Sequence, residues 1–168
     1  MSDENTAEDL FFLFNLGNGM FSVPVIHVKE VFDFTSLTAV PNSLSYLKGL
    51  MNIRGSVVSI VYLRKLFGFN PSDDLEKTSV IYVEVEQNGE KPFEFAIIAD
   101  KLDVVSPLNK VPADSVFHGI PEKQREFVKF VARRGEEFIL VLDLEKIVSY
   151  IASDAGTPET LINESESQ

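Results

Sequence analysis

Short apolar runs separated by turn residues dominate the chain, each about as long as a β-strand. Leu10 to Leu16 is one such run; Gly17-Asn18-Gly19 and then Met20-Phe21-Ser22-Val23 follow it. Glycine and asparagine tolerate the positive φ of a tight turn, so the two runs predict a β-hairpin. The same arrangement returns at Ile81 to Glu86, Asn88-Gly89 and Pro92 to Ala99. There Ile81, Val83 and Val85 alternate with Tyr82, Glu84 and Glu86, which predicts a single buried face. A third hairpin is expected from Phe127 to Leu142, turning at Arg134-Gly135-Glu136. Leu47 to Ile53 and Val57 to Leu63 form a further pair, joined through Arg54-Gly55-Ser56.

Helical periodicity is sparse. Val25 to Phe32 is expected to make one or two helical turns after Pro24, a residue suited to a helix start. Leu63 to Phe67 is a single turn stopped by Gly68, and Pro121 to Glu126 is another. The strongest helix runs from Leu144 to Ala152, with Leu144, Ile147, Val148 and Ile151 on one face and Asp143 as its N-cap. Many short strands and few helices predict a mainly β fold, a barrel or sandwich of mostly antiparallel strands. The Asp-, Pro- and Ser-rich stretch 70–78 is the expected junction between two halves. The predicted organisation is an acidic disordered tail over 1–9, a folded body over 10–152 and a second acidic disordered tail over 153–168.

Charge and composition narrow the functional classes. The chain of 168 residues carries a net charge of −11, but eight of those charges sit in the tails. These are Asp3, Glu4, Glu8 and Asp9 at the start and Asp154, Glu159, Glu164 and Glu166 at the end, which leaves the body at −3. Acidic tails repel phosphate backbones and anionic lipids, so neither nucleic-acid nor membrane-surface binding is expected. No apolar run approaches the length of a membrane span and the N-terminus lacks a signal-peptide core, so no membrane insertion is expected. The absence of cysteine removes disulfides, thiolate ligands and a cysteine nucleophile, and fits a cytoplasmic protein.

Catalytic patterns are missing. His27 and His118 are the only histidines, and two histidines without cysteines need added carboxylates to hold a metal, so neither metal nor cofactor is expected. Gly17-x-Gly19 is not a dinucleotide fingerprint, because Ser22 stands where the third glycine belongs. Asp73-Asp74 lies in a Pro-Ser-Asp-Asp turn context rather than a paired-carboxylate centre. Basic residues are scattered, and Phe11, Phe12 and Phe14 sit in an apolar run as core rather than as stacking platforms for bases. The chain is expected not to be an enzyme.

The informative stretch is Leu47 to Gly68, which contains Gly49, then Asn52-Ile53-Arg54-Gly55, an apolar strand, and Leu63-Arg64 before a short helix. It closely resembles the signature of the CheW family. Phe11 to Gly17 with Val28-x-Glu30-Val31 is similar to that family's opening, and Phe138 to Ile147 to its closing strand and helix. The three matches follow in order across Leu10 to Ile151. The resemblance implies two small five-stranded SH3-like β-barrel subdomains packed together, with short helices and a C-terminal helix. It also implies a non-catalytic adaptor in chemotaxis signal transduction that couples chemoreceptors (methyl-accepting chemotaxis proteins) to the histidine kinase CheA. The implied partners are the kinase regulatory domain and the receptor's cytoplasmic hairpin tip, the latter in a groove between the subdomains.

The positions matching receptor contacts are Val28, Glu30, Arg54 and Val105, with Ile26 beside them as an apolar anchor. Gly49, Asn52 and Gly55 are expected to serve backbone geometry, and Arg54 either contacts a partner or pairs with Glu30. No kinase-contact residue is assigned. A stand-alone adaptor is expected, since the chain is too short for an added receiver domain. Three departures stand out: Tyr62 where an aspartate commonly caps the next helix, Ser22 and Pro24 where small or acidic residues are usual, and Phe130 where a glycine is frequent.

Overall fold

The computed structural model describes residues 10–41, 45–70, 74–112 and 120–154. Among these residues eleven strands fall into two curled sheets. The first contains β1 (Leu10–Leu16), β2 (Gly19–Pro24), β8 (Lys101–Pro107), β9 (Asn109–Lys110), β10 (Val128–Arg134) and β11 (Glu137–Leu142), in the order β8-β1-β2-β11-β10-β9. The second contains β3 (Val28–Asp33), β4 (Leu47–Ile53), β5 (Ser56–Val61), β6 (Ser79–Gln87) and β7 (Glu90–Ala99), in the order β3-β6-β7-β5-β4. The helices are α1 (Leu63–Leu66), α2 (Glu122–Arg125) and α3 (Leu144–Asp154). All four expected strand pairs form, and so does the mainly β architecture with its C-terminal helix. The first half has six strands rather than five, the extra one being the two-residue β9.

Each sheet curls until its edges meet. β8 and β9 are separated by Leu108 alone, yet β8 pairs with β1 and β9 with β10, so one stretch of chain closes the six-stranded sheet. The five-stranded sheet closes where Thr38 and Leu50 exchange two 2.8 Å backbone hydrogen bonds. Gly49 permits that approach, because a Cβ there would stand 2.3 Å from the Thr38 carbonyl oxygen.

The larger core lies between the sheets: Phe14, Phe21 and Val23 from one side, Ile81, Val83, Phe95 and Ile97 from the other, and Leu144, Ile147 and Ile151 of α3. A second core fills the other face of the five-stranded sheet with Met51, Ile60, Tyr62, Val80, Tyr82 and Ile98. β6 is therefore buried on both faces, and the single buried face expected from its alternation is half of the picture. Asp143 caps α3, its Oδ1 accepting from the Lys146 N–H at 3.1 Å.

One element differs in kind. The helix expected over Val25 to Phe32 shrinks to a single 3₁₀ turn, Val25–His27, and β3 follows at once. Pro24 is extended (ψ 135), ending β2 rather than starting a helix. Pairing with β6 satisfies the backbone of this segment across Val28 to Asp33, and tertiary pairing overrides the weak local helical preference.

Candidate functional site

Register decides where the β3 side chains point. Val28 pairs with Val83 and Glu30 with Tyr82, so Lys29 is an extra residue, a β-bulge. Directly paired residues share a sheet face. Val28 accordingly packs with Val83 against the core between the sheets, while Glu30 shares the opposite face with Tyr82. Two residues that strict alternation would place together are divided by the bulge.

On its own face Glu30 meets Arg54. The Arg54 Nε donates to Glu30 Oε1 at 2.8 Å and Nη2 to Oε2 at 3.0 Å, a planar fork on a carboxylate. β3 and the β4–β5 hairpin belong to opposite edges of the five-stranded sheet, so this pair bridges the seam where the sheet closes. The Arg54 side chain remains 77% exposed and that of Glu30 30%. The guanidinium beside it holds the Glu30 carboxyl below its ordinary value, and the carboxylate pushes Arg54 up.

The hairpin that presents Arg54 is a two-residue turn. Ile53 pairs with Ser56, and both central residues have positive φ, 51° for Arg54 and 88° for Gly55, the type I′ geometry that matches strand twist. A side chain at Arg54's φ is disfavoured, and it is the only non-glycine in that region among the described residues. Asn52 braces the turn, its Oδ1 accepting from the Gly55 N–H at 3.0 Å.

The remaining sequence candidates lie on other elements. Ile26 is 54% exposed in the 3₁₀ turn just before β3. Val105, 48% exposed, lies on the other sheet, at the end of a cross-strand row through Val23 and Phe12 that faces the shared core. The structure thus joins Glu30, Arg54, Asn52 and Gly55 by hydrogen bonds, sets Val28 and Ile26 along the same segment, and leaves Val105 across the inter-sheet boundary. Val57, paired with Asn52 and 71% exposed, was not distinguished in the sequence because its run reads as uniformly buried.

Two of the departures, Tyr62 and Phe130, have structural explanations. Tyr62 does not cap α1; its ring is buried in the second core, with the Lys48 ammonium 4.7 Å from its centroid. Phe130 packs edge-on against Phe11 at 6.0 Å and lies under Lys110, so it fills space rather than opening a patch. Arg64 of the signature forks onto Asp100 at 3.1 and 2.5 Å, and Asp100 also accepts from the Gly17 N–H at 2.7 Å. That cluster ties the β1–β2 turn of one sheet to α1 beside the other. His27 Nδ1 lies 3.2 Å from the Glu84 carbonyl oxygen and so donates to it. Among the described residues no three His, Cys, Asp or Glu side chains gather as metal ligands, and no helix is long and apolar enough to cross a membrane. His118 and Asp73 lie outside the described residues.

Two curled sheets sharing one core, with a forked ion pair across an exposed seam, define a paired small-barrel module. The CheW-like domain family model matches residues 10–152, and the chain belongs to that family. It is 26% identical over 156 residues to a probable chemotaxis protein CheW of Rhizobium etli, covering 90% of this chain and 95% of that protein. It is also 26% identical over 148 residues to the chemotaxis protein CheW of Klebsiella aerogenes, covering 86% and 84%. The crystal structure of the scaffolding protein TtCheW from Thermoanaerobacter tengcongensis superposes with a TM-score of 0.66 at 22% identity, over 81% of this chain and 89% of that one, which shows a shared fold.

Proposed function

We propose that this chain is a non-catalytic, cytoplasmic scaffold that couples chemoreceptors to the histidine kinase CheA. On this reading the body 10–152 is the working unit, flanked by acidic tails, with its two halves joined near 70–78. The receptor's hairpin tip docks along the boundary between the sheets, and the kinase regulatory domain binds elsewhere on the same rigid body. The observation that carries the reading is the Arg54–Glu30 fork: a charged, mostly exposed guanidinium held in one pose on the β4–β5 turn, with Ile26 exposed just before the strand that carries Glu30. A fixed multi-donor group on a surface that also exposes an apolar side chain suits an amphipathic helix with polar groups at its end. Val105 borders the same boundary from the other sheet.

Arg54→Glu tests the reading. It sets a second carboxylate beside Glu30, and calorimetry with a receptor-hairpin fragment is expected to show affinity reduced by tenfold or more, equivalent to about 1.4 kcal/mol. Titration with the kinase regulatory domain is expected to be unchanged. A folded variant that binds the receptor fragment as before removes Arg54 from the site.

A further inference from the structure

The bulge that divides Val28 from Glu30 is centred on Lys29, whose ammonium meets two carboxylates and an aromatic ring. Its Nζ donates to Glu94 Oε2 at 2.9 Å, lies 3.6 Å from Glu84 Oε1 and stands 5.1 Å from the centroid of the Tyr82 ring. Tyr82 donates its phenol to the other oxygen of Glu94 at 2.5 Å. Glu84 pairs with Glu94 and Tyr82 with Ala96 across β6 and β7, so Lys29's partners come from one face of two neighbouring strands. This is the face that carries Glu30, which matches a bulge whose two consecutive side chains point the same way.

The alternative register shows what the latch prevents. If β3 paired without the bulge while Val28 stayed opposite Val83, Lys29 would face Tyr82 and Glu30 would face Ile81. A one-residue slip exchanges the two faces of a strand. The Glu30 carboxylate would then point into the apolar core between the sheets, where Ile81, Val83 and Ile97 are fully buried, and Arg54 would lose its partner. Val31, which now packs against that core beside Ile81, would be turned to the opposite face of the sheet.

We propose that Lys29, latched by Glu94 and Tyr82, is a positioning residue that sets the β3 bulge and thereby aims Glu30 at Arg54. The proposal deepens the receptor-site reading and rests on it for its functional consequence, but its structural half is independent of any partner. The Glu30–Arg54 contact itself supplies the readout, because the guanidinium lowers the Glu30 carboxyl.

The experiment is a carbon-detected NMR titration of the Glu30 side chain in the whole chain, beside calorimetry with the receptor-hairpin fragment. In Lys29→Met the Glu30 carboxyl is expected to titrate nearer its ordinary value, and fragment affinity to fall by about three- to tenfold, the size of coupling usual between networked neighbours. Lys29→Arg keeps the charge and the reach and is expected to restore both. Glu94→Gln keeps an acceptor for Tyr82 while removing the charge that holds Lys29, and it carries the same test if Lys29→Met fails to fold. A lysine that only adds stability leaves the Glu30 titration unmoved, and an unmoved titration in a folded Lys29→Met or Glu94→Gln overturns the proposal. A shifted titration with unchanged fragment affinity upholds the positioning role and instead counts against the receptor site.

Discussion

Arg54 and Glu30 lie 24 residues apart in sequence and at opposite edges of one sheet, and they meet through two near-parallel hydrogen bonds of 2.8 and 3.0 Å. The pair is expected to make the stability of the fold pH-dependent. The Glu30 carboxyl is held below its ordinary 4.5 in the fold, mainly by the hydrogen bond from Arg54. A lowered carboxyl stabilises the native state in full above its unfolded value and loses that contribution as pH falls through the folded value. Urea unfolding of the wild type and Glu30→Gln is therefore expected to give a stability gap that is constant above about pH 5 and shrinks toward pH 3. A gap independent of pH would mean that the fork contributes nothing through its charge.

Gly49 makes a sharper claim about closure of the five-stranded sheet. Its Cβ would meet the Thr38 carbonyl oxygen at 2.3 Å and Leu37 Cδ1 at 2.8 Å, and the first obstacle is backbone already committed to Leu50. Gly49→Ala must push the Thr38 segment away and break the two hydrogen bonds that join the sheet's edges. The expected loss is about 1–3 kcal/mol, the usual range for overpacking a tight site, read as a lower urea midpoint. Gly55→Ala adds no clash, since nothing lies within 4 Å, but it carries the cost of φ 88°. It is expected to lose less, about 1 kcal/mol.

What was legible in the sequence depended on whether local chemistry and tertiary pairing agreed. Gly17-Asn18-Gly19, Asn88-Gly89 and Arg134-Gly135-Glu136 mark hairpins because the turn itself demands positive φ, at Gly17, Gly89 and Gly135. β3 was hidden because its bulge breaks the two-residue period, leaving Val28, Val31 and Phe32 spaced like a helix face. β8 was missed for a related reason: its register against β1 slips between Phe12 and Phe14, so Leu102, Val104 and Val105 do not alternate. The family resemblance named Glu30 and Arg54 but left their pairing open, because contact between two sheet edges is created only when the sheet curls. Lys29 carried no local signal, since its partners arrive from β6 and β7.

Tyr62 shows two principles in conflict, and magnitude decides between them. An aspartate there would cap α1, which has no side-chain cap, and a cap contributes ~0.5–2 kcal/mol. The Tyr62 ring is 2% exposed among Met51, Ile60 and Ile98, and deleting a buried aromatic costs about 3–5 kcal/mol. Tyr62→Asp is expected to destabilise by at least about 1 kcal/mol despite the new cap, and to leave the Lys48 ammonium without its aromatic face. Tyr62→Phe keeps the ring and is expected to lose much less. Thermal unfolding of the pair checks the ordering, and equal stability of Tyr62→Asp and wild type would show that α1 capping fully offsets the lost core packing here.

Ser22 is the opposite case, a polar residue where an apolar one would serve. It pairs with Leu13 on one side and Val141 on the other, all three fully buried, and among the described residues no group hydrogen-bonds its Oγ. An unpaired buried hydroxyl costs about 1–3 kcal/mol of desolvation, whereas removing it with its oxygen leaves a gap the size of a single atom. Ser22→Ala is therefore expected to be neutral or to stabilise by up to about 1 kcal/mol. Ser22→Val, which adds two methyl carbons between Leu13 and Val141, is expected to lose about 1–3 kcal/mol through overpacking. Urea midpoints with unchanged slopes check both values. If Ser22→Ala instead loses more than about 1 kcal/mol, the hydroxyl is hydrogen-bonded in solution, and the six-stranded half is wetter inside than its Leu13–Ser22–Val141 row indicates.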